Sequence, residues 1–337
     1  QPTAVRFLDA RTPAVTADVE ARTGLYTIAL RGGRPREVLR GGALAGLRAA
    51  GGALFAARAG LRQPPEAVRI DAGGRVRTLT AFTAPALKGI ALGRAQEIVF
   101  AGAGGDRVQM HLVHPPGPRR GKRPLVHLIH GGPHGAFGDD WHWRWNPQVF
   151  AGAGYLAALV NFHGSSGFGH DFTRSILGRW GEMPYEDVMR ATDVLVDRGL
   201  ADPKRMAATG GSYGGYLATW IATQTDRFAC IVNHAGVSDL QTQCAMDIPQ
   251  GWHISAGGVP WADREGLDRF NPMRHADGFR SPMLVLHGAK DYRVPYAQAL
   301  QVYNAYRARG RPARLVLYPD ENHWILNRRN RLVVDIG

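Results

Sequence analysis

Lysine is nearly missing from this sequence: of 41 basic residues only Lys88, Lys122, Lys204 and Lys290 are lysines, and the rest are arginines in a background rich in alanine and glycine. The formal net charge is +13. Nucleic-acid binding would call for that charge gathered in a stripe or patch. Apart from the pairs Arg119-Arg120 and Arg328-Arg329 the arginines are scattered, so a nucleic-acid partner is not expected. The bias reads instead as the coding preference of a G+C-rich genome.

Cysteine is equally scarce. Cys230 and Cys244 cannot make a disulfide framework, and Cys230, inside the apolar run Phe228 to Val232, is expected to be a small buried hydrophobe. No apolar run reaches the roughly 18 residues of a membrane-spanning helix, so no membrane partner is expected. There is no H-E-x-x-H, no paired C-x-x-C and no phosphate loop, which leaves neither a metal nor a cofactor to expect. The chain opens at Gln1 without an initiator Met or a signal-like stretch and reads as a processed or shortened product. With 337 residues, 45% hydrophobic and 20% charged, it has the composition of a soluble globular chain that can bury a core.

What the sequence does contain is glycine at pointed places. Gly210-Gly211-Ser212-Tyr213-Gly214-Gly215 follows the apolar run Met206 to Thr209 and precedes the helix-like stretch Tyr216 to Thr223. Strand, tight turn and helix around G-x-S-x-G is the nucleophile elbow of α/β-hydrolases, in which the serine sits on a strained turn above the sheet. The flanking positions must be glycine because side chains there would meet the neighbouring strand and helix.

Residues 1 to about 95 read as short strands joined by glycine turns. Leu25 to Leu30 leads through Gly32-Gly33 to Glu37 to Leu39, and Ala67 to Ile70 leads through Gly73-Gly74 to Val76 to Leu79, with a further strand at Gly51 to Ala57. The spacing near 40 residues suggests β-propeller blades, of which about two fit, against the alternative of an ordinary β-meander. From Glu97 the pattern changes. A hairpin over 97–113 is followed by strands alternating with helices: strands at 125–129, 155–160, 206–209, 229–232, 283–286 and 314–317, and helices at 185–198 and 296–308. Alternation of this kind specifies a mostly parallel sheet covered on both faces. The expected division is a β-rich propeller remnant over 1–95 and an α/β-hydrolase catalytic domain over 96–337.

A serine at neutral pH needs a base within hydrogen-bond reach and an acid to orient that base. Asp291 follows the strand 283–286 and His323 follows the strand 314–317, so both sit on loops at strand carboxyl ends. The order Ser212, Asp291, His323 is that of α/β-hydrolases. His130-Gly131-Gly132-Pro133 follows the strand 125–129, where an oxyanion loop belongs, and the amides of Gly132 and Tyr213 are the expected donor pair. Trp141-His142-Trp143-Arg144-Trp145 has the look of a sugar or cofactor platform, but the preferred reading is an aromatic loop packed over the oxyanion strand.

Together these stretches resemble the catalytic domain of the prolyl oligopeptidase family of serine peptidases, in particular its dipeptidyl-peptidase V and acylaminoacyl-peptidase branch. The resemblance is carried by 130–133, Trp145 to Gln148, Asn161 to Gly169, Gly211 to Tyr216, His287-Gly288 through Asp291, and Asn322-His323. It implies the triad Ser212, Asp291 and His323, an Arg293 that contacts a substrate carbonyl, and a Val294 and a Trp252 that line the pocket before the scissile bond or else belong to the core. It also implies an N-terminal propeller and leans the compartment towards the periplasm or the cell exterior. Three departures stand out. His163 occupies a position where many members have arginine, most of the propeller is missing, and the stretch after Ile325 has no room for the family's closing helix. An uncovered sheet flank there would favour self-association into a homo-oligomer.

The expected activity is cleavage of peptide bonds in short peptides. The alternative is a carboxylesterase acting on small acyl esters, since an open site with this triad cleaves esters more readily than amides. A third reading is a catalytically dead binding module with a misassembled triad.

Overall fold

The computed structural model describes residues 2–118 and 121–330. Arg119-Arg120 and residues 331–337, on which the expectation of a missing closing helix falls, lie outside the described residues.

The first part of the chain forms two four-stranded antiparallel meanders. One holds β1 (Pro2–Asp9), β2 (Thr12–Val19), β3 (Arg22–Thr27) and β4 (Arg36–Leu39). The other holds β5 (Ala43–Ala50), β6 (Ala53–Gly60), β7 (Gln63–Ile70) and β8 (Val76–Thr78). Each has the build of a propeller blade. Leu25 from one sheet and Leu47, Leu54, Val68 and Ile70 from the other close a small shared core. The two Gly-Gly turns join β3 to β4 and β7 to β8, as their spacing suggests. β5 is not apparent in the sequence, because ALAGLRAA lacks the β-branched and aromatic residues that mark strands.

After the short helix α1 (Ala84–Leu87) comes an eight-stranded sheet. Its strands are β9 (Ala95–Ala101), β10 (Arg107–Val113), β11 (Arg123–Ile129), β12 (Leu156–Asn161), β13 (Ala201–Gly211), β14 (Cys230–His234), β15 (Met283–Gly288) and β16 (Ala313–Tyr318). They lie in the order β16-β15-β14-β13-β11-β12-β10-β9. β9, β10 and β12 pair antiparallel, and every pairing from β12 through β11 to β16 is parallel. The exchange of β11 and β12 in that order is a topological switch, and in open α/β sheets ligands gather beyond the strand carboxyl ends near such a point. This is an α/β-hydrolase sheet preceded by a β-rich region.

The intervening helices are α2 (Pro147–Gly152), α3 (His170–Arg174), α4 (Met183–Asp197), α5 (Tyr213–Gln224), α6 (Trp252–Ala256), α7 (Arg264–Arg269) and α8 (Ala297–Ala308). Alternation along β11 separates the two faces of the sheet. Leu125 and Ile129 join the core under α4 and α5, while Val126 and Leu128 join the core under α2. α5 is buried from Tyr213 to Thr223, which suits a helix that is apolar on every side.

α4 carries Pro184 in its first turn and buries Val188, Ala191 and Leu195 on one face. It stops at Gly199, whose φ is 62°: Gly199 donates to Val196 and Leu200 donates to Leu195, so the orphaned carbonyls of the last turn are satisfied. Gly310 closes α8 in the same way, through Arg307 and Tyr306.

One expectation fails. Cys230 is exposed, because it opens β14 at the strand's amino end instead of lying in mid-strand. Burial in that run belongs to Phe228 and Ile231.

The β-rich segment meets the hydrolase part through Asp139. Its carboxylate accepts from Gly42 N at 2.9 Å and Leu61 N at 3.2 Å, while its own amide donates to Ala21 O at 2.9 Å. Gln148, buried at the start of α2, donates to Leu61 O at 2.9 Å and accepts from Gly93 N at 2.7 Å. The loop after β11 is therefore anchored on both sides.

Candidate active site

Ser212 stands between β13 and α5 with φ 60° and ψ −121°, a conformation that costs a non-glycine residue about 1–3 kcal/mol. Its surroundings hold it there. Ser212 N donates to His234 O at 2.9 Å, at the end of the neighbouring strand. A Cβ on Gly214 would come within 2.1 Å of Ile129 O, and one on Gly210 within 2.5 Å of the Gly214 backbone. Only glycine fits at either place. A serine at a helix N-cap ordinarily bonds the first-turn amides. The Ser212 side chain makes no such bond, so its hydroxyl is left to the cavity it lines.

Asp291 and His323 meet as the strand-end spacing suggests. His323 Nδ1 lies 2.7 Å from Asp291 Oδ2. The other carboxylate oxygen accepts from the amides of Arg293 at 3.0 Å and Val294 at 2.9 Å. His287 Nε2 is also within 3.2 Å of Asp291 Oδ2. Burial alone would raise the Asp291 pKa; the bonds from His287 and His323, helped by the Val294 amide, overcome it and hold the carboxyl well below the usual range. It is a fixed anion that orients the imidazole.

The two loops lean on each other. Lys290 N donates to Glu321 O, and a Cβ on Gly288 would meet that carbonyl at 2.5 Å. The buried Glu321 carboxylate accepts from the amides of Leu326 and Asn327, at 2.8 and 2.9 Å, and so closes the chain beyond His323. Nothing in the pattern of the sequence marked Glu321. Its signal is burial, which a lone Glu in a loop does not announce.

The loop after β11, expected from the sequence to hold the oxyanion, is built from beneath. His130 Nε2 lies 2.9 Å from Ser165 Oγ, whose proton goes to Phe162 O at 2.7 Å, so the imidazole is the donor. Burial holds its pKa down to about 4, and it is neutral. Stacked on Phe162, it supports Gly131 and Gly132, and Gly132 has φ 50°. A Cβ on Gly131 would stand 3.2 Å from that of Ser212. The Tyr213 amide opens α5, where first-turn donors have no acceptor within the helix and the dipole favours negative charge.

Ser212, His323, Gly132, Arg293, Val294 and Trp252 all line one cavity of about 560 Å³, and so does Tyr213. Arg293 is paired there with Asp247 at 2.6 Å. His163 takes a different place. It is buried between Asp187 at 2.7 Å and Asp106 at 3.1 Å, stacked on Phe172. Burial would lower its pKa, but bonds to Asp187 and Asp106 prevail and raise it.

The aromatic loop packs over the elbow. Trp145 lies against Gly211 and the His234 ring, and Arg144 sits over Trp324. Sequence reasoning missed Trp180, Gln243 and Met246, which also line the cavity. Trp180 and Met246 come from irregular segments and Gln243 from a single 3-10 turn, Thr242–Ala245, none of them with a sequence period. Among the described residues, no group of three or more His, Cys, Asp and Glu is placed to hold a metal ion, and no helix is long and apolar enough to cross a membrane.

Residues 141–335 match the family model described as the prolyl oligopeptidase family. The chain belongs to that family. Among relatives of this prolyl oligopeptidase member, it is 36% identical over 271 residues to a probable dipeptidyl-peptidase 5 of Aspergillus clavatus, covering 78% of this chain and 37% of the relative. It is 30% identical over 327 residues to dipeptidyl-peptidase 5 of Porphyromonas endodontalis, covering 94% of this chain and 47% of that one. The chain thus spans roughly a third to a half of the length of such relatives. In fold it is similar to Pyrococcus horikoshii acylaminoacyl peptidase, with a TM-score of 0.88, 24% identity, and coverage of 100% of this chain and 54% of that one.

Proposed function

We propose that this chain is a serine hydrolase that cleaves peptide bonds of short peptides, of dipeptidyl or acylaminoacyl type, through an acyl-enzyme. The observation that carries the reading is the 2.7 Å bond from His323 to Asp291 on the cavity whose wall also holds the strained Ser212.

Ser212 Oγ attacks the carbonyl carbon while His323 Nε2 takes its proton. Asp291 keeps the imidazole in the tautomer that can accept it. The developing oxyanion is received by the amides of Gly132 and Tyr213. Collapse expels the amine, which takes the proton back from His323, and leaves the acyl group on Ser212. Water then repeats the sequence and frees the acid. In this reading Val294 and Trp252 form part of the pocket for the residue before the scissile bond, and Arg293, held by Asp247, faces a substrate carbonyl. Residues 1–95 act as a blade-built flank and 96–337 as the catalytic unit. Family membership and the names of the relatives support the peptidase over the esterase.

The test is labelling with a fluorophosphonate probe followed by a rate panel of dipeptidyl, acyl-aminoacyl and short-chain ester substrates. Labelling lost in Ser212→Ala, with turnover of the peptide substrates, is the expected result. An unlabelled protein would overturn the mechanism, and ester turnover without peptide cleavage would overturn the substrate class.

A further inference from the structure

Residues 163–166 bond three times to the loop that follows β11. His134 Nδ1 donates to Gly164 O at 3.1 Å, His130 Nε2 donates to Ser165 Oγ at 2.9 Å, and Ser166 N donates to Gly135 O at 3.0 Å. The placing of Gly131 and Gly132 therefore depends on what holds 163–166.

What holds them is charge at His163. This residue is 1% exposed and Asp187, near the start of α4, is fully buried. Asp187 Oδ2 accepts from the His163 amide at 2.7 Å and lies 2.7 Å from its ring Nδ1, while Oδ1 accepts from Ala103 N at 2.8 Å. Asp106 Oδ2 lies 3.1 Å from the other ring nitrogen, Nε2. A carboxylate only accepts hydrogen bonds, and a neutral imidazole has a single donor. One carboxylate oxygen at each ring nitrogen thus calls for the doubly protonated ring. The charged groups facing it are these two, from α4 and from the turn before β10; α3 presents the uncharged Phe172 ring, stacked at 4.3 Å. Among the described residues no arginine or lysine pairs with Asp187 or Asp106, so His163 is the cation they share. Taking the charge from one partner of a buried pair leaves the other uncompensated, which is costly.

Resting on the serine hydrolase reading above, we propose that His163 is a positioning residue for the loop 130–135 and holds it only while both ring nitrogens carry protons. The proton lost in alkali is the one on Nε2, which faces Asp106, whose side chain is 64% exposed and can pass it to water. Nδ1 keeps its proton on Asp187. The neutral ring then turns a lone pair to the Asp106 carboxylate and leaves Asp187 buried without a cation. Residues 163–166 loosen, and the Gly132 amide with them. Burial opposes the charge on His163, but the bonds to Asp187 and Asp106 outweigh it and hold the pKa above the ordinary 6.5. With a raised value, the stabilisation is complete below 6.5 and is lost as the pH rises through the folded value. An arginine in this place would stay charged throughout.

The experiment follows kcat, KM and the NMR signal of the His163 ring against pH in the wild type, Asp106→Asn and His163→Arg. The wild-type ring is expected to titrate above 6.5. With the same midpoint kcat should fall by on the order of 10- to 10²-fold while KM holds, the cost of displacing reacting groups by up to about 1 Å. Asp106→Asn keeps the shape of an exposed side chain and removes its charge, so both midpoints should move together to lower pH. His163→Arg should abolish the alkaline fall. A histidine that served the fold alone would not tie the kcat midpoint to its own titration. A ring that titrates at or below 6.5, or an alkaline fall that Asp106→Asn leaves in place, overturns the proposal. Absent probe labelling and turnover would sink the hydrolase reading instead. The Ser166 amide then decides for His163: its protection from hydrogen exchange, corrected for the intrinsic rise with pH, should fall with the ring's titration, and constant protection overturns the proposal.

Discussion

The guanidinium of Arg144 lies 4.3 Å from the centroid of the Trp324 ring. Trp324 follows His323 directly and meets its imidazole edge to face at 5.1 Å. An arginine from the loop after β11 thus steadies the loop that carries His323, and both Arg144 and Trp324 line the cavity. Stacking of this kind contributes about 0.5–2 kcal/mol. Arg144→Met is expected to lower kcat/KM by about 2- to 30-fold, which is that energy range read as a rate. Steady-state kinetics at two salt concentrations would check it, and an unaltered kcat/KM would mean that the stack does not order the His323 loop.

The acid and the nucleophile should fail to different degrees. Ser212→Ala is expected to remove probe labelling and turnover. Asp291→Asn keeps the shape of the site but not the anion that sets the His323 tautomer, and a loss of about 10⁴-fold in kcat is expected. Activity that survives in Ser212→Ala would move the nucleophile elsewhere.

Gly214 is the tightest point of the elbow. A methyl group there would press to 2.1 Å on Ile129 O and 3.0 Å on His130 O, so β11 or α5 must shift. Gly214→Ala is expected to cost at least about 1–3 kcal/mol of stability, read from the urea midpoint, with loss of labelling. Gly132→Ala tests the conformation and not the space, since nothing lies near its Cβ position but its φ is 50°.

Acid should loosen the β-rich segment through Glu66. Its carboxylate accepts from the hydroxyls of Thr80 and Thr83 and from the amides of Thr83 and Phe82. Those bonds, that from Thr80 foremost, lower its pKa from 4.5 to about 2. A depressed carboxylate contributes stability that is complete above the unfolded value and fades as the pH falls through the folded one. The 79–83 stretch is expected to stay docked at pH 5 and to loosen between pH 4.5 and 2. Hydrogen exchange at the Phe82 and Thr83 amides would follow it. Glu66→Gln should flatten the pH dependence, and an unchanged profile would show that Glu66 is not its source.

Some of this was legible without a fold, because chemistry carried in the backbone leaves marks in the chain. The glycines around Ser212 are required by contacts one residue wide, so they stand next to one another in sequence. The loops bearing Asp291 and His323 follow runs that can only be parallel strands, and the alternation of strand and helix specifies the sheet. Gly199 and Gly310 announce helix ends through a left-handed φ. Other features depend on partners far apart in the chain. The exposure of Cys230 turned on where β14 begins, the role of Glu321 on its burial against 326–330, and the Arg144 stack on two loops 180 residues apart in sequence meeting at one rim. The cavity wall is the clearest case. Trp180, Gln243 and Met246 come from separate segments whose sequences show no period, and only packing brings them to the same cavity. The sequence by itself determined which residues are candidates to attack, accept a proton and hold an oxyanion in the proposed reaction, because residue type and strand-end position are written in the chain. The tertiary structure decided what surrounds the bond to be broken, because a pocket is formed by side chains that the chain order keeps apart.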